Sequence, residues 1–207
     1  MIYTPRFIVI EGLDGSGKST QIEMLQDALQ ARGEKCYLTA EPTELPVGRL
    51  IRDVLRGQTR MDPRALAALY AADRMEHLHH PTEGILYQLT QGCHVIASRY
   101  YFSSFAYQGE FVDPRMIAAF NFHAKSTLPA DLTIHLDLTP AESLKRIEGR
   151  GTEKELFETQ EKLTKVREGF LEAYAQFGDG ENIHILNASR NPVIIAEEIL
   201  GLVDALE

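Results

Sequence analysis

The segment that most constrains the fold is a short apolar run followed by a glycine-rich loop and a helical pattern. Residues 7–10 read Phe-Ile-Val-Ile, and the loop after them spells G-x-x-x-x-G-K-[ST], ending in Lys18-Ser19. Residues 21–30 then carry apolar side chains at helical spacing. Strand, loop and helix in this order are the setting in which the pattern binds phosphate, whereas the same letters elsewhere arise by chance. The segment therefore predicts a nucleotide-binding protein.

The loop has the chemistry that a phosphate group requires. Its glycines permit backbone conformations closed to other residues, so that successive N–H groups converge on an anion. Lys18 adds a charge for the β- and γ-phosphates, Ser19 offers a hydroxyl to Mg²⁺, and the helix presents its positive end. The predicted ATP-binding positions of the loop are Gly12, Asp14, Gly15, Ser16, Gly17, Lys18, Ser19 and Thr20.

Composition limits the class of protein. The chain has 207 residues, of which 44% are hydrophobic, enough for a single domain spanning 1–207. Its net charge of −9 argues against a nucleic-acid surface, and no run approaches the ~20 apolar residues of a membrane span. Because the N-terminus enters the first predicted strand without a signal-like segment, we expect a cytoplasmic protein. Cys36 and Cys93 lie in apolar runs and are expected to be buried free thiols.

Strand-like and helical patterns alternate along the chain. The predicted strands are 7–11, 35–40, 93–97, 131–137 and 182–186. The longest helical stretch is 63–91. This alternation predicts an α/β fold, a P-loop three-layer sandwich in which a five-stranded parallel sheet is covered by helices on both faces. Ligands of such sheets bind at the carboxyl ends of the strands.

The charged zone 142–178 departs from this alternation. Gly149 and Gly151 interrupt its charge-rich first part, which indicates a mobile lid over 142–158. A phosphotransferase needs a cationic lid because closure excludes water that would otherwise compete as acceptor. The alternative is an exposed pair of salt-bridged helices joined by a turn. The presence of a phosphate-binding loop favours the lid.

Three segments carry side chains suited to holding the acceptor of a phosphate group. Tyr70 and Arg74 lie four residues apart on one predicted helix and pair an aromatic ring with a forked cation. Taken alone, such a tyrosine is more often a core residue and such an arginine a surface ion-pair partner. Arg99 directly follows a predicted strand and therefore faces the ligand crevice. The third segment, 40–43, ends the second strand with Pro42, a rigid corner beside the same crevice.

Together these segments resemble the thymidylate kinase family, P-loop enzymes that transfer the γ-phosphate of ATP to dTMP. The resemblance spans nearly the whole chain. It is carried by 7–20, Glu41-Pro42, Ala-Ala-Asp-Arg at 71–74, Arg99-Tyr100, Ser-Ser-Phe-Ala-Tyr-Gln-Gly at 103–109, 128–137 and Phe157-Glu158. The loop alone is shared with many families, whereas the Ala-Asp-Arg, Arg-Tyr and Ala-Tyr-Gln-Gly sequences at these spacings are specific to this one.

The resemblance implies roles on the donor side. Lys18 and the loop amides would hold the ATP phosphates, with Lys18 also acting in catalysis, and Ser19 and Glu11 would hold the Mg²⁺ cofactor. Arg146 is implied as an ATP contact. Arg190 ends the sequence Asn-Ala-Ser-Arg at 187–190, which resembles the adenine-binding loop of the family.

On the acceptor side, the resemblance implies that Tyr70 stacks on thymine and that Arg74 and Ser104 hydrogen-bond its polar edge. Arg99 would bind the acceptor phosphate during transfer. Tyr107 would crowd the 2′ position of the sugar, which favours deoxynucleotides by steric exclusion. The implied dTMP-binding residues are Asp14, Pro42, Tyr70, Arg74, Arg99, Ser103, Ser104, Tyr107 and Gln108.

Two of these positions carry a more specific expectation. Asp14 would lie near the sugar 3′-hydroxyl and the metal. Pro42 would line the pocket for the thymine methyl group, whose burial is worth only ~1 kcal/mol, so discrimination against dUMP should be modest.

The family divides by the source of an additional catalytic cation, which comes either from the phosphate loop or from the lid. Position 15 is glycine, so the chain resembles the lid type, with Arg150 as the catalytic cation and Arg146 and Lys154 as reserves. The resemblance also implies a homodimer packed through helices, for which the apolar faces within 63–91 and 114–122 are candidate surfaces.

Two positions depart from the pattern of the family. Ser98 stands where an aspartate commonly precedes the Arg-Tyr sequence, which removes a carboxylate from the neighbourhood of the metal. The corner after the second strand lacks the arginine seen in many relatives. Arg49 or Arg52 could supply the missing contact to the acceptor phosphate, although either is equally consistent with a solvated surface charge.

These departures keep two alternatives open. One is a different nucleotide or nucleoside kinase, although a nucleoside kinase would not need Arg99 for an acceptor phosphate. The other is a non-catalytic nucleotide-binding module, against which the base-binding residues and the lid cations argue. The sequence contains no Asn-Lys-x-Asp run of the kind that reads guanine in GTPases.

Overall fold

The structure, a computed structural model, describes residues 3–149 and 159–206. Its strands are β1 (Phe7–Gly12), β2 (Lys35–Ala40), β3 (Cys93–Ser98), β4 (Leu132–Asp137) and β5 (Ile183–Asn187). Its helices are α1 (Lys18–Ala31), α2 (Pro46–Leu55), α3 (Pro63–His79), α4 (Ile85–Thr90), α5 (Tyr101–Gln108), α6 (Pro114–Thr127), α7 (Pro140–Glu148), α8 (Gln160–Phe177) and α9 (Pro192–Asp204). Every predicted strand is present, with only its end residues shifted.

The strands form one parallel sheet in the order β2-β3-β1-β4-β5. β1 lies at its centre, where Ile8 is opposite Ile96 of β3 and Leu132 of β4. All six residues of β1 are buried, which explains why its first four residues, 7–10, are continuously apolar rather than alternating. The predicted parallel α/β fold is confirmed.

Successive residues of β1 point to opposite layers of helices. Ile8 and Ile10 pack in a cluster with α1 and α9, whereas Phe7 and Val9 belong to a cluster with α3, α5, α6 and α8. Full burial of a side chain of this size stabilises a fold by about 1.5–3 kcal/mol. Two apolar cores that share the central strand therefore hold the three layers together.

The predicted helical zone 63–91 is divided into two helices. α3 ends at His79, His80 is extended with a ψ of 131°, and α4 begins only at Ile85. The residue after His80 is Pro81, and a proline disfavours helical backbone in the residue before it. Pro81 therefore accounts for the break, and α3 ends at His79.

The region predicted as a lid is only partly described. Residues 142–148 belong to α7, in which Ser143 and Ile147 are buried. Residues 150–158, which include Arg150 and Lys154, lie outside the described residues. The first part of the predicted lid is therefore a packed helix, and motion of the remainder stays a prediction.

The sequence also predicts buried free thiols and no membrane span, and both expectations can be compared with the structure. Cys36 and Cys93 are free, as expected, but half-buried rather than fully buried. Burial raises the pKa of the Cys36 thiol to about 11. Among the helices that the structure describes, none is long and apolar enough to cross a membrane.

One buried histidine makes stability depend on pH. His135 on β4 is fully buried, its Nδ1 lies 2.9 Å from the Tyr174 hydroxyl, and its Nε2 has no hydrogen-bond partner among the described residues. Burial lowers the pKa of His135 to about 4. The nearby Asp137 charge raises this pKa and the Lys18 charge lowers it, but burial is the largest effect. The folded protein therefore keeps this imidazole neutral at pH values where an unfolded chain protonates it.

We predict that the free energy of unfolding falls as the pH is lowered from about 6.5 to about 4, because only the unfolded state binds the His135 proton there. The shift corresponds to about 3 kcal/mol. Urea unfolding at several pH values should show that His135→Leu removes this part of the pH dependence, whereas His184→Leu on β5 retains it. Equal slopes for wild type and His135→Leu would contradict the assignment.

Candidate active site

The glycine-rich loop folds around Lys18. Gly12, Gly15 and Gly17 have φ angles of 139°, 80° and 97°, a region that residues with a Cβ rarely adopt. The Lys18 Nζ, at the start of α1, donates to the carbonyl oxygens of Gly12 (3.1 Å) and Leu13 (2.8 Å). The ammonium group therefore lies at the loop and at the positive end of α1, where an anion is favoured.

Helix α7 packs directly on this loop. A Cβ at Gly15 would lie 2.8 Å from the carbonyl oxygen of Ser143 and 3.3 Å from Cγ1 of Ile147. The Ser143 hydroxyl donates to the carbonyl oxygen of Asp14 at 2.5 Å, and Arg146 donates to that of Gly15 at 3.4 Å. Both the backbone conformation at position 15 and the close approach of α7 therefore require glycine there. As a result, the loop has no cationic side chain at this position.

An ion pair joins the loop to the end of β3. Arg99 has a φ of 72°, the one positive φ among the described non-glycine residues, a conformation that costs about 1–3 kcal/mol unless its surroundings fix it. Its Nη2 lies 2.5 Å from Oδ1 of Asp14, and the guanidinium carbon lies 4.7 Å from the centre of the Tyr107 ring. The Tyr107 hydroxyl donates to Oδ2 of Asp14 at 3.1 Å.

This ion pair sets the charges beside the loop. Burial by itself would raise the pKa of the Asp14 carboxyl, but the Arg99 and Lys18 cations more than offset it and lower the pKa to about 2. Burial likewise opposes the charge of Arg99, yet Asp14 raises the Arg99 pKa above its ordinary value. Both side chains are therefore ionised at neutral pH.

Glu11 holds the turn that carries Arg99. Its fully buried carboxylate accepts from the backbone N–H groups of Tyr100 (2.9 Å) and Ser103 (3.2 Å) and from the Ser103 hydroxyl (2.6 Å). Burial raises the pKa of Glu11, although these hydrogen bonds and the Arg99 charge act against the rise. Both oxygens contact the Arg99 turn, so Glu11 supports this turn, and its role as a metal ligand stays a prediction.

A second ion pair lies fully inside the protein. Arg74 on α3 is 1% exposed, donates to Oε2 of Glu41 through Nε (2.8 Å) and forms an ion pair with the same oxygen, which lies 2.6 Å from Nη2. Its Nη1 donates to the Ser104 hydroxyl (3.1 Å) and to the side-chain oxygen of Asn121, and Nη2 also donates to the carbonyl oxygen of Tyr100 (3.1 Å). Four hydrogen bonds hold the guanidinium, and its burial excludes the alternative of a surface ion pair for Arg74.

Glu41 is held from its other side by a histidine. Nδ1 of His77 lies 3.0 Å from Oε1 of Glu41, and Nε2 of His77 lies 2.6 Å from the Thr39 hydroxyl. Each carboxylate oxygen of Glu41 therefore has a fixed partner. Burying such a charge is tolerated because its hydrogen bonds are made within the protein.

The corner after β2 is fastened to α2 and α3. The Glu41–Pro42 peptide bond is cis, and the Asp73 carboxylate accepts from the backbone N–H (2.8 Å) and hydroxyl (2.5 Å) of Thr43. Arg52 on α2 donates to the carbonyl oxygens of Thr43 (2.5 Å) and Pro42 (2.6 Å). Because Arg52 is engaged in fastening the corner, it does not replace the arginine that the corner lacks.

These elements enclose one solvent-open cleft of ≈ 580 Å³. Every residue expected to bind dTMP lines it: Asp14, Pro42, Tyr70, Arg74, Arg99, Ser103, Ser104, Tyr107 and Gln108, joined by Glu41 and Leu55. A larger groove of ≈ 860 Å³ runs between α5 and α8, but Tyr107 is the only one of these residues that lines it. The smaller cleft is therefore the candidate active site.

Comparison with known proteins agrees with this geometry. Residues 10–199 match the family model described as thymidylate kinase. The chain belongs to the thymidylate kinase family.

Full-length relatives support the assignment. The chain is 38% identical to a probable thymidylate kinase of Thermococcus gammatolerans, over 96% of this chain and 95% of the relative. It is 36% identical to the thymidylate kinase of Carboxydothermus hydrogenoformans, over 97% and 98% of the two chains. The similarity therefore extends over essentially the whole of both relatives.

Residues expected on the ATP side of a thymidylate kinase lie at the other end of the loop. Arg146 donates to the carbonyl oxygens of Gly15 and of Ala188 (3.0 Å), so it joins the phosphate loop to the segment after β5. Arg190 in that segment pairs with Glu198 at 2.6 Å. Ser19 and Thr20 are exposed at the start of α1. Arg150, the predicted catalytic cation, lies outside the described residues.

The oxygen atoms near the phosphate loop can be compared with the ligands that a magnesium ion prefers. Mg²⁺ prefers oxygen ligands and keeps several waters, with one or two protein ligands besides the phosphates. The exposed Ser19 hydroxyl fits this need, and the Ser16 hydroxyl is buried without a partner among the described residues, as suits a group awaiting a phosphate oxygen or water. Within 3–149 and 159–206 there is no group of three or more His, Cys, Asp or Glu side chains arranged around an ion.

Sequence reasoning missed the partners of Arg74. Glu41 was quoted only as part of a motif, and no role was expected for His77 or Asn121. His77 lies three residues after Arg74 on the same helix, a spacing that places both side chains near one face and could have suggested a shared partner. Asn121 lies on α6, and nothing in the local sequence signals its contact.

We predict that Glu41→Gln lowers the free energy of unfolding by about 3 kcal/mol or more, because it leaves Arg74 buried without its counter-charge. The matched control is Glu44→Gln, which removes an exposed partner of Arg52 and should cost less than about 1 kcal/mol. Urea unfolding at pH 7 measures both changes. If the two variants lost similar free energies of unfolding, the buried Arg74–Glu41 pair would matter no more for stability than the exposed pair.

Proposed function

We propose that this chain transfers the γ-phosphoryl group of ATP to dTMP, giving ADP and dTDP in a Mg²⁺-dependent reaction. The observation that carries the proposal is the cleft at the phosphate loop, which is lined by the whole predicted dTMP-binding set. A nucleotide in this cleft would have its base among α2, α3 and α5 and its phosphate beside the loop. The names of the relatives support the same reaction.

The base end of the cleft suits thymine. Tyr70 packs in the cluster between α2 and α3 and offers its ring for stacking, while Pro42 borders the space for the methyl group. The Ser104 hydroxyl and the Arg74 guanidinium face the polar edge. The Arg74 guanidinium already donates to Glu41, Ser104, Asn121 and Tyr100. A direct bond from Arg74 to the base would compete with these partners, whereas Ser104 can donate while it accepts from Arg74.

The phosphate end depends on Arg99. Its guanidinium lies beside Asp14 at the mouth of the loop, within the cleft that we assign to dTMP. A phosphate oxygen of dTMP attacks the γ-phosphorus while the bond from that phosphorus to the β–γ bridging oxygen breaks, so ADP leaves and no covalent enzyme intermediate forms. Arg99 and Lys18 orient the two phosphates and offset their repulsion.

On the donor side, the loop amides and Lys18 would hold the ATP phosphates, and Arg146 and Arg190 would contact the nucleotide beyond them. Ser19 would hold Mg²⁺, which supplies charge neutralisation at the β- and γ-phosphates. Ser98 offers no carboxylate, and Glu11 is engaged by the Arg99 turn. The remaining ligands of the ion would then be phosphate oxygens and water.

The proposal is tested by ADP release with Mg-ATP and a panel of acceptors: dTMP, dUMP, UMP, CMP, AMP and thymidine. We expect dTMP to be the best acceptor, dUMP to follow within about two orders of magnitude, and thymidine to be inactive. Preference for another monophosphate, or for thymidine, would favour a different nucleotide or nucleoside kinase. Activity with none of them would favour a non-catalytic nucleotide-binding module.

We further propose that residues 1–207 form a single domain and that the enzyme acts in the cytoplasm. The acidic net charge of the chain is consistent with small-molecule substrates rather than a nucleic-acid partner.

We predict that Arg150→Ala lowers the turnover number by about 10³-fold, with little change in the affinity for dTMP, because this cation acts mainly on the transition state. Lys145→Ala, at an exposed lysine of α7, is the control and should have a much smaller effect. Steady-state kinetics give the turnover number, and calorimetric titration gives the affinity. An unchanged turnover number for Arg150→Ala would remove Arg150 from the mechanism.

We predict that Tyr107→Ala reduces the preference for dTMP over the corresponding ribonucleotide, because the ring no longer occupies the space beside the sugar 2′ position. Tyr107→Phe keeps the ring and loses the hydroxyl group, including its hydrogen bond to Asp14, so it should keep the preference. The ratio of kcat/KM values for the two acceptors is the measurement. An unaltered ratio in Tyr107→Ala would assign sugar selection to other residues.

The proposed homodimer has a candidate surface on α3 and α6, which pack against each other. Met75, Met116 and Phe122 are large apolar side chains exposed on these helices, and Phe122 is 71% exposed. Exposed apolar side chains grouped on neighbouring helices are typical of surfaces that bind another protein.

We predict that the wild-type protein is a dimer by light scattering and that Phe122→Glu converts it to a monomer, because the charge would be buried without a partner. Phe111→Glu, at another exposed phenylalanine after α5, is the control and should leave the mass unchanged. A dimer that survives Phe122→Glu would place the interface elsewhere.

A further inference from the structure

A buried histidine connects β2 to the charged groups behind the base end of the cleft. His77 on α3 is 2% exposed and is not among the residues that line the cleft. Its Nε2 lies 2.6 Å from the hydroxyl oxygen of Thr39 on β2, and its Nδ1 lies 3.0 Å from Oε1 of Glu41. Both ring nitrogens therefore have a polar partner, and neither partner is a group that the proposed reaction uses directly.

The partners of the ring select one tautomer. An ionised carboxylate can only accept hydrogen bonds, so Nδ1 of His77 carries a proton and donates it to Glu41. In a neutral imidazole the other nitrogen is then an acceptor, and the Thr39 hydroxyl can donate to it. Thr39 therefore holds the imidazole in the form that Glu41 requires.

Glu41 is held at both oxygens by residues of one helix. Arg74 donates to Oε2 at 2.8 Å, and His77, three residues later on α3, donates to Oε1. The backbone N–H of Glu41 donates to the carbonyl oxygen of Ser98 at 3.1 Å, so its main chain is fixed as well. Loss of the His77 bond would leave the carboxylate free to turn about its last side-chain torsion, and the Arg74 guanidinium would turn with it.

The far side of Arg74 faces the cleft. Its Nη1 donates to the Ser104 hydroxyl at 3.1 Å and to the side-chain oxygen of Asn121, and both Arg74 and Ser104 line the cleft. Because the Ser104 oxygen accepts from Arg74, the hydroxyl proton of Ser104 is directed to another acceptor. A turn of the guanidinium would thus displace both of the groups that face the polar edge of the base.

We propose that His77, in the tautomer fixed by Thr39, is a positioning residue for recognition of the base. It fixes Glu41, and through Glu41 it fixes Arg74 and the Ser104 hydroxyl. This inference rests on the proposed binding of dTMP in the cleft.

Such a role has a kinetic signature. The base does not change during phosphoryl transfer, so contacts to it contribute about equally to the ground state and the transition state. Their loss raises the KM for dTMP and leaves the turnover number and the KM for ATP about unchanged. A merely structural role would lower the free energy of unfolding without this selective change.

Two substitutions of His77 separate the two contacts of the ring. The amide of glutamine reaches the place of Nε2 and loses the contact to Glu41, whereas the amide of asparagine reaches the place of Nδ1 and can donate to Glu41. We expect His77→Gln to raise the KM for dTMP and to weaken thymidine binding in calorimetric titration by about tenfold or more, as for a lost hydrogen bond to a charged group. His77→Asn should retain most of the wild-type affinity.

Thr39→Val tests the tautomer, because it removes the hydroxyl that Nε2 contacts and leaves His77 in place. It should weaken thymidine binding about twofold to tenfold, the effect of a neutral hydrogen bond. Urea unfolding at pH 7 shows that each variant is folded under the conditions of the binding measurement.

His94→Gln is the matched control. His94 is 3% exposed and its Nε2 lies 2.8 Å from Oε2 of Glu34, so it is another buried histidine beside a carboxylate. It lies near the amino end of β3, whereas the cleft lies at the carboxyl ends of the strands. The variant should lose stability and keep the wild-type affinity for thymidine and the wild-type KM for dTMP.

Wild-type thymidine affinity in both His77→Gln and Thr39→Val would overturn the proposal. So would a fall in turnover number at unchanged affinity, or an equal loss of affinity in His94→Gln. If His77→Gln does not fold, Thr39→Val decides by the same comparison. A wild type that binds thymidine but phosphorylates none of the acceptors would contradict the proposed function and not the role of His77, so the two failures are distinguishable.

Discussion

The candidate active site depends on the ion pair between Arg99 and Asp14. It joins the loop after β1 to the residue after β3, and Tyr107 of α5 closes it from a third side. Glu11 holds the same turn from below through the backbone of Tyr100 and Ser103. The strained φ of Arg99 is tolerated because these contacts fix it. A cation that is in place before its phosphate arrives requires no reorganisation during the reaction, which is the main source of electrostatic catalysis.

The buried Arg74–Glu41 pair shapes the other end of the cleft. It joins the corner after β2 to α3, α5 and α6, through Ser104 and Asn121. Such a network stabilises little compared with an apolar core of the same shape, but removing one member leaves a charge uncompensated in a medium of low dielectric constant. Its contribution is therefore a fixed position for each group around the base, which is what discrimination among similar nucleotides requires.

The sheet could be predicted because its three central strands, β1, β3 and β4, are buried on both faces. The run around Ile8 and Ile10 reads as uninterrupted apolar sequence, and the break after α3 is signalled by Pro81. The lining of the cleft was expected mainly from the resemblance to the thymidylate kinase family, whereas Pro42 and Arg99 could also be placed there because they follow strands of a parallel sheet.

Contacts between distant segments could not be predicted in this way. Asn121 accepts a hydrogen bond from Arg74, which lies 47 residues earlier in the chain, and no local sequence pattern indicates this contact. From the sequence, Gly15 indicates that the phosphate loop carries no additional cation at this position. The structure adds that α7 leaves no room for a side chain there. Glu11 was expected at the metal as a replacement for the carboxylate that Ser98 removes. Only the three-dimensional arrangement shows that both its oxygens serve the Arg99 turn.

The role of Arg99 is tested most directly by comparing the affinities of dTMP and thymidine, by calorimetric titration, in the wild-type protein and in Arg99→Gln. The two ligands differ only in the phosphate. The account predicts that the wild type prefers dTMP and that Arg99→Gln loses about tenfold to a hundredfold of that preference, the worth of a charge-assisted hydrogen bond, while thymidine binds about equally to both. A preference for dTMP that is unchanged in Arg99→Gln would contradict the assignment of the acceptor phosphate to Arg99.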